Sequence, residues 1–424
     1  MVKEIENYVR AALPKIGVNK TREIVRLVFE IARRDKIAPE RILPAAKNLN
    51  FISAKKLLLK KRYPENYGSA PADAYYLPEV NLDFCPPADY SKKKFEPKNI
   101  FVDAQAADSQ LAARVKKMFP GADYQILTEK RQVGSADYSK RTDTLYISYE
   151  KFDFLKKCPC TAGAVGCGYN LINLGFGCAY ECAYCFLQQY QNAHAVTLPA
   201  NLDDFLARVD GADLNKGPFE RARLGSGEFT DSLLFDHITN YSSEIIKFFR
   251  VRPYIDFEFK TKSVNVANIL AAKPCKNIVV GWSVNAPRII AGEEYLTPPL
   301  EERLRAAAQV AARGFGVAFH FDPVIIYDGW EKDYKETVEQ IATVVSADAV
   351  RWLSVGTLRF NRELKKVIEA RHRETTILNE ELLLGFDGKL RYSDARRKEV
   401  YDFMLPLLKK YFPKTRVYLC MEQI

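Results

Sequence analysis

Three cysteines spaced C-x3-C-x2-C, in Gly175-Phe-Gly-Cys178-Ala-Tyr-Glu-Cys182-Ala-Tyr-Cys185-Phe, are the residues of this chain best suited by type and spacing to do chemistry. Thiolates are the usual ligands of iron–sulfur clusters, and three of them on a four-iron cluster leave one iron without a protein ligand. An iron left open can take a substrate or cofactor, much as the open position of a catalytic zinc does. The chain has nine cysteines, and six of them, Cys158, Cys160, Cys167, Cys178, Cys182 and Cys185, fall within 28 residues; Cys85, Cys275 and Cys420 stand apart. An odd, clustered set fits a secreted disulfide framework poorly and fits metal or cluster binding in a reducing compartment. For the triplet, the alternative is a zinc site completed by Cys158, Cys160 or Cys167. Those three thiols would need a fourth ligand to hold a second iron–sulfur site, and the sequence identifies none, so the default for them is a structural role.

A triplet of this kind needs a loop held at one edge of a sheet, and the pattern after Tyr169 supplies one. Short runs rich in β-branched and aromatic residues, Tyr169 to Leu174, Arg221 to Leu224, Asp256 to Lys260, Ile278 to Val284, Val317 to Phe321 and Val350 to Val355, alternate with stretches of helical periodicity. Examples are Ser232 to Arg250, Pro299 to Ala312 and Arg362 to Ala370. Alternation of this kind predicts an α/β fold with a parallel sheet, and six units predict a partial, open (β/α)6 barrel with its site at the C-terminal strand ends. Upstream, Asn99 to Asp103, Asp108 to Phe119 and Gly121 to Leu127 read as a β-α-β unit whose helix is capped by Asp108. Residues 1–67 read as a basic helical region, 68–157 as a small α/β module and 158–424 as the partial barrel with a C-terminal extension. His320 and Asp322 alternate with Phe319 and Phe321, so they share a strand face, taken as barrel interior. With Arg359 they are candidate substrate contacts, against the alternative of a satisfied core histidine and a capping aspartate.

The triplet in this loop of this fold resembles the radical S-adenosylmethionine superfamily. The resemblance implies a [4Fe-4S] cluster on Cys178, Cys182 and Cys185, with S-adenosyl-L-methionine chelating the open iron. It implies cofactor contacts at successive strand ends: Gly225, Gly227 and Glu228 in Gly225-Ser-Gly-Glu228, then Thr230, Lys262, Ser283 and Asn285. More narrowly, Cys167-Gly-Tyr-Asn-Leu-Ile-Asn173, Cys185-Phe-Leu-Gln188, Phe229-Thr-Asp231, Asp236-His237, Thr297-Pro-Pro-Leu-Glu-Glu-Arg303, Asp328-Gly-Trp330 and Tyr418-Leu-Cys-Met-Glu422 resemble the spore photoproduct lyase family and its photolyase-like relatives. Lyases of that family use a deoxyadenosyl radical to split a thymine dimer in DNA. Two positions depart from their pattern: Glu228 stands where they carry a hydrogen-donating cysteine, and Phe186 where they carry a tyrosine. Tyr184, Cys420 and Cys167 are the candidate catalytic substitutes, a structural role being the more common one for an isolated cysteine. The resemblance also implies an electron donor such as flavodoxin or ferredoxin.

Composition bounds the rest. A chain of 424 residues with 47% hydrophobic and 27% charged residues is an ordinary globular protein of more than one domain, not a disordered or fibrous one. It shows no apolar run long enough for a membrane span and no signal-peptide core, which predicts a cytoplasmic protein. The formal net charge is +10, with a basic excess in the first 62 residues, and this leaves open both nucleic acid as a partner and a merely solvated helical face. Two alternatives stand beside a nucleic-acid enzyme. One is a radical enzyme acting on a protein or small molecule, and the other a non-enzymatic iron–sulfur sensor or nucleic-acid-binding protein.

Overall fold

In the computed structural model, the described residues are all but 45–48, 92–93, 130–132, 152–154, 162, 191–193, 215, 218 and 423–424. The chain divides into two compact units, residues 1–87 with 358–399, and residues 88–357 with 400–424. These are not the divisions expected from composition. Residues 358–399, read as part of the barrel region, belong to the first unit because their helix and strands pack with the N-terminal helices.

The first unit contains helices Val2–Ala12, Val18–Asp35 and Phe51–Arg62 around a core of Ile24, Leu27, Val28, Ile31 and Leu58. Apolar residues recurring three and four apart put one face of Val18–Asp35 into this core. Asn50 starts the third of these helices with a capping box, its side chain accepting from Ser53 N while Ser53 Oγ accepts from Asn50 N. The returning segment adds helix Arg362–Arg371 and a three-stranded antiparallel sheet ordered Arg359–Asn361, Lys389–Tyr392, Leu382–Leu384.

In the second unit, the strand Asn99–Asp103 pairs in parallel with Asp123–Leu127 and Thr144–Ser148, and Val196–Pro199 joins Thr144–Ser148 in parallel. The module therefore does not close at residue 157, since its fourth strand comes after the cysteine triplet. Its helix, Gln110–Met118, is capped by Ser109, whose hydroxyl accepts from Ala112 N, and not by Asp108. Ser and Asp are nearly equal as caps, so sequence alone could not choose between neighbours.

The larger sheet has eight strands in the order Arg416–Leu419, Val350–Thr357, Gly316–Val324, Ile278–Ser283, Ile255–Thr261, Ala222–Ser226, Tyr169–Ile172, Leu155–Lys157. All neighbours are parallel except the last pair. The six expected strands are all present in sequential order, flanked by two short edge strands that carry too few residues to show a pattern. Ile278–Ser283 is buried throughout, as a parallel strand covered on both faces should be. The sheet is curled: Arg223 Nη2 lies 3.1 Å from Tyr418 Oη although four strands separate their own. This is the partial barrel. Among the described residues no helix is long and apolar enough to cross a membrane.

Candidate active site

The cysteine loop leaves the C-terminal end of the first barrel strand, Tyr169–Ile172, and is fixed by its own backbone. Gly177 has φ +85°, where a side chain would also bring a Cβ 2.6 Å from Ala195 O. Gly177 N donates to Phe229 O at 2.8 Å, tying this loop to the one after the second strand. Glu181–Cys182 pairs antiparallel with Glu294–Tyr295, and Ala183 N donates to Glu293 O at 2.8 Å. Gln188 Nε2 donates to the carbonyls of Cys182, Ala183 and Cys185. The buried Arg141 closes the other side, donating to Cys178 O at 2.7 Å, Tyr180 O at 2.7 Å and Glu181 Oε1 at 2.5 Å. Arg141 carried no local sequence signal, because its partners lie about forty residues away. Burial pushes the Cys178 thiol up to about 12, with Asp231 adding to it. The Cys182 and Cys185 thiols are also pushed up by burial, while Lys262 draws both back.

At the end of the second strand, Gly227 adopts φ +100° with Lys260 O close by, so the turn accepts only glycine without strain. Gly225 serves a different neighbour. A Cβ there would meet the Tyr169 hydroxyl, which donates to Glu258 Oε2 at 2.6 Å. Glu228 pairs with Lys156 Nζ at 2.8 Å, and that ammonium lies 4.8 Å from the Phe229 ring centroid. Thr230 is buried with its Oγ1 unpartnered. Asp231 accepts from Leu233 N, Leu234 N, Thr261 Oγ1 and Lys262 N, binding the turn to the end of the third strand.

Lys262 stands with its Nζ 5.5 Å from the Tyr184 ring centroid. Burial pulls its ammonium down, but Cys182 and Glu294 outweigh burial and hold it protonated. Ser283 is nearly buried, and its carbonyl accepts from Arg303 Nη1 at 2.9 Å. Asn285 is taken up by the fold: Nδ2 donates to Pro323 O at 3.1 Å and faces Glu294 Oε1 at 3.5 Å, while Oδ1 accepts from Tyr334 Oη. Behind the loop, Glu294 receives the Tyr184 hydroxyl and pairs with Arg303 at 2.7 Å. Arg303 also donates to Pro298 O and Thr297 Oγ1, which gives the Thr297-Pro-Pro-Leu-Glu-Glu-Arg303 stretch its structural reason.

His320 lies on the barrel interior as expected, yet both ring nitrogens are engaged, Nε2 with Glu258 Oε1 and Nδ1 with Ser354 Oγ, each at 2.7 Å. This is a core histidine. Trp352 Nε1 donates to the same Glu258 oxygen at 2.8 Å, and Gly281 leaves room for the pair, since a Cβ would lie 2.3 Å from Glu258 Oε1. Burial alone would raise the Glu258 carboxyl; His320, Arg223 and Tyr169 outweigh it and hold it down to about 2. Burial pulls the His320 imidazole down against the attraction of Glu258. Asp322 follows on the same strand, half-buried. Arg359 belongs to the first unit, on a strand paired with Lys389–Tyr392, and so leaves the group of barrel residues. Cys420 follows the edge strand Arg416–Leu419 and neighbours Cys158.

Comparison with known proteins agrees with this architecture. The family model described as spore photoproduct lyase matches residues 95–420. The spore photoproduct lyase of Geobacillus sp. (strain Y412MC61) is 27% identical over 346 residues, covering 77% of this chain and 98% of the relative. That of Bacillus subtilis (strain 168) is 26% identical, covering 76% and 98%. A solved spore photoproduct lyase mutant with bound AdoMet and dinucleoside spore photoproduct superposes with a TM-score of 0.64 at 25% identity, over 78% of this chain and 99% of that one. The chain belongs to the spore photoproduct lyase family of radical S-adenosylmethionine enzymes.

Proposed function

We propose that this enzyme acts on DNA carrying a pyrimidine photoproduct, with Cys178, Cys182 and Cys185 holding the [4Fe-4S] cluster. The observation that carries the reading is the buried, unpartnered Thr230 Oγ1 at the turn after the second strand, a polar atom that a bound cofactor would satisfy. The donor set fits: three thiols in one loop for the cluster, and Glu228, Thr230 and Lys262 as acid, hydroxyl and ammonium for the charged end of an amino acid. When bound, the cluster and S-adenosyl-L-methionine supply a 5′-deoxyadenosyl radical able to take a hydrogen atom from a substrate carbon.

The chain's own work is positioning. Arg141 and Gln188 hold the loop carbonyls, Asp231 fixes the backbone of Lys262, and Lys262 keeps its charge beside the loop. Tyr184 acts as a positioning residue through Glu294, and Asn285 acts through the same carboxylate. Glu228 is available to the cofactor's ammonium by exchange from Lys156. The relatives solved with a dinucleoside spore photoproduct and the net charge of +10 support nucleic acid as substrate. A low-potential electron carrier such as flavodoxin or ferredoxin is the protein partner this chemistry requires.

The test is 5′-deoxyadenosine formation by the anaerobically reconstituted, reduced protein, with undamaged or ultraviolet-irradiated DNA. Wild type is expected to form the nucleoside, faster with irradiated DNA, and Cys182→Ala to form none. Cleavage indifferent to DNA would move the substrate to a protein or small molecule.

A further inference from the structure

Four cysteines outside the triplet meet where the two edges of the curled sheet approach each other. Cys158 and Cys160 follow the edge strand Leu155–Lys157, Cys167 precedes the first barrel strand, and Cys420 follows Arg416–Leu419 at the opposite edge. The backbone holds them there. Cys158 N donates to Tyr169 O at 2.9 Å, Cys160 N to Cys158 O at 2.7 Å, and Cys420 N to Val355 O at 2.9 Å. Across the seam, Val165 N donates to Glu422 O at 2.8 Å. The Cys158 thiol hydrogen-bonds the Cys160 thiol, with the Cys420 and Cys167 thiols in its surroundings. The strand ends thus bring all four cysteines to one seam, and Cys420 joins the three whose fourth partner the sequence did not reveal.

A second observation points to a ligand at this seam. Arg223 is fully buried and leaves Nε and Nη1 without hydrogen-bond partners, spending only Nη2 on the Tyr418 hydroxyl and, at 3.9 Å, on Glu258. Its guanidinium is walled by the rings of Tyr169, Phe219, Trp352 and Tyr418, each within 5 Å of their centroids. Two unspent nitrogens, carrying three N–H groups, are costly in such a site unless something anionic completes them. The thiol beside them is Cys167. N–H groups of this kind stabilise the anionic sulfur of thiolate-bound metal centres.

We propose that Cys158, Cys160, Cys167 and Cys420 ligate a second iron–sulfur cluster, with Arg223 donating toward its sulfur. A cluster suits the geometry better than a single zinc ion. Among the described residues no three metal-ligating side chains form the tight shell of one ion, and this is equally true of Cys178, Cys182 and Cys185, the cluster ligands. Zinc needs four sulfurs about 2.3 Å from one point, whereas a cluster spreads its thiolates over several irons. The centre would join the strand Leu155–Lys157 to Arg416–Leu419 and so fasten the open side of the barrel.

The inference is independent of the substrate and is read by metal content. The full chain carrying Cys178→Ala, Cys182→Ala and Cys185→Ala is reconstituted anaerobically with ferrous iron and sulfide. It is expected to retain iron and acid-labile sulfide, with a thiolate-to-iron absorption band that disappears on adding Cys158→Ala and Cys420→Ala. Mössbauer spectra of wild type, which need no variant to fold, are expected to show two cluster sites and about twice the iron of the Cys158→Ala, Cys420→Ala protein. A single cluster in wild type, an iron-free triple variant that is otherwise folded, or one zinc per chain at these thiols would overturn the proposal.

Discussion

Each unit of this protein buries a network of charges, and the two networks differ in how completely their hydrogen bonds are spent. In the first unit, Glu30 receives Arg62 at 2.7 Å and Lys365, with Arg26 at 3.5 Å. Arg62 gives its remaining N–H groups to the carbonyls of Leu378, Asn379 and Glu380, and Arg26 gives its own to Pro78 O, Glu79 O and Glu369. In the barrel, Glu258 is equally well served by Tyr169, Trp352 and His320, but Arg223 beside it leaves two nitrogens, Nε and Nη1, unspent. The charge around Glu30 is spent on named partners and fastens the helices to the returning segment 358–399, with the Nε of the neighbouring Arg33 its one unpartnered donor among the described residues. Charge left over inside the barrel is where the fold waits for something else.

Breaking the saturated network should produce the largest effect. Burial works to raise the Glu30 carboxyl, and Lys365, Arg62 and Arg26 outweigh it, so its pKa is lowered. Glu30→Gln leaves those buried cations uncompensated and is expected to cost about 3–5 kcal/mol in urea unfolding of the full chain. The sign with pH follows from linkage. A carboxyl depressed in the fold contributes its full stability above the ordinary glutamate value of 4.5 and loses it as pH falls toward the folded value. Wild type should therefore weaken steeply in acid below about pH 4.5, and the variant less steeply. Equal stability of the two proteins at pH 7 would show that the network is not holding the first unit together.

The barrel network sharpens the contrast with a smaller number. Arg223→Met keeps the bulk and removes a guanidinium of which only one nitrogen is spent, so the cluster-free protein should lose only about 1–3 kcal/mol. Without Arg223, burial regains ground on Glu258, whose carboxyl is now held at about 2, and its share of acid stability should vanish at a higher pH than in wild type. The test is acid unfolding of both proteins followed by tryptophan fluorescence. An Arg223→Met loss as large as that of Glu30→Gln would erase the distinction between the networks.

That distinction also marks what the sequence could and could not say. The six core strands were legible because each carries an apolar run between helical stretches, and Cys178, Cys182 and Cys185 because a local spacing announces them. Arg141, Glu258, Arg223 and Arg303 were not, since their partners come from segments tens to hundreds of residues apart and nothing local sets them off from exposed charges. Gly225 and Gly281 each stand where a polar side chain of a neighbouring strand needs the space, so glycine inside a strand was a usable signal for that buried group. His320 was legible as an interior residue, and the sequence left open whether it was a substrate contact or a satisfied core histidine. Its strand position fixes only the face, while its partners Glu258 and Ser354 come from two other strands. Residues 358–399 were drawn into the barrel region because Arg362–Arg371 continues the β-α rhythm, and only three-dimensional packing assigns that helix to the first unit.

The smallest effect tests whether saturation or location decides a residue's role. Tyr184 sits inside the cysteine loop, yet its hydroxyl belongs to a spent network, donating to a Glu294 that also holds Arg303. Burial and then Arg303 and Lys262 act on that carboxylate in opposite directions, and the cations win, so Glu294 stays ionised without the tyrosine. Tyr184→Phe therefore removes one donor from a carboxylate that keeps its charge partners, and should cost about 1–2 kcal/mol of stability. Iron content and the rate of 5′-deoxyadenosine formation should stay within about threefold of wild type, a change worth under ~1 kcal/mol of barrier. Loss of the nucleoside product with the iron retained would make Tyr184 a participant in the radical chemistry, and location beside the cluster would then outrank saturation as the sign of function.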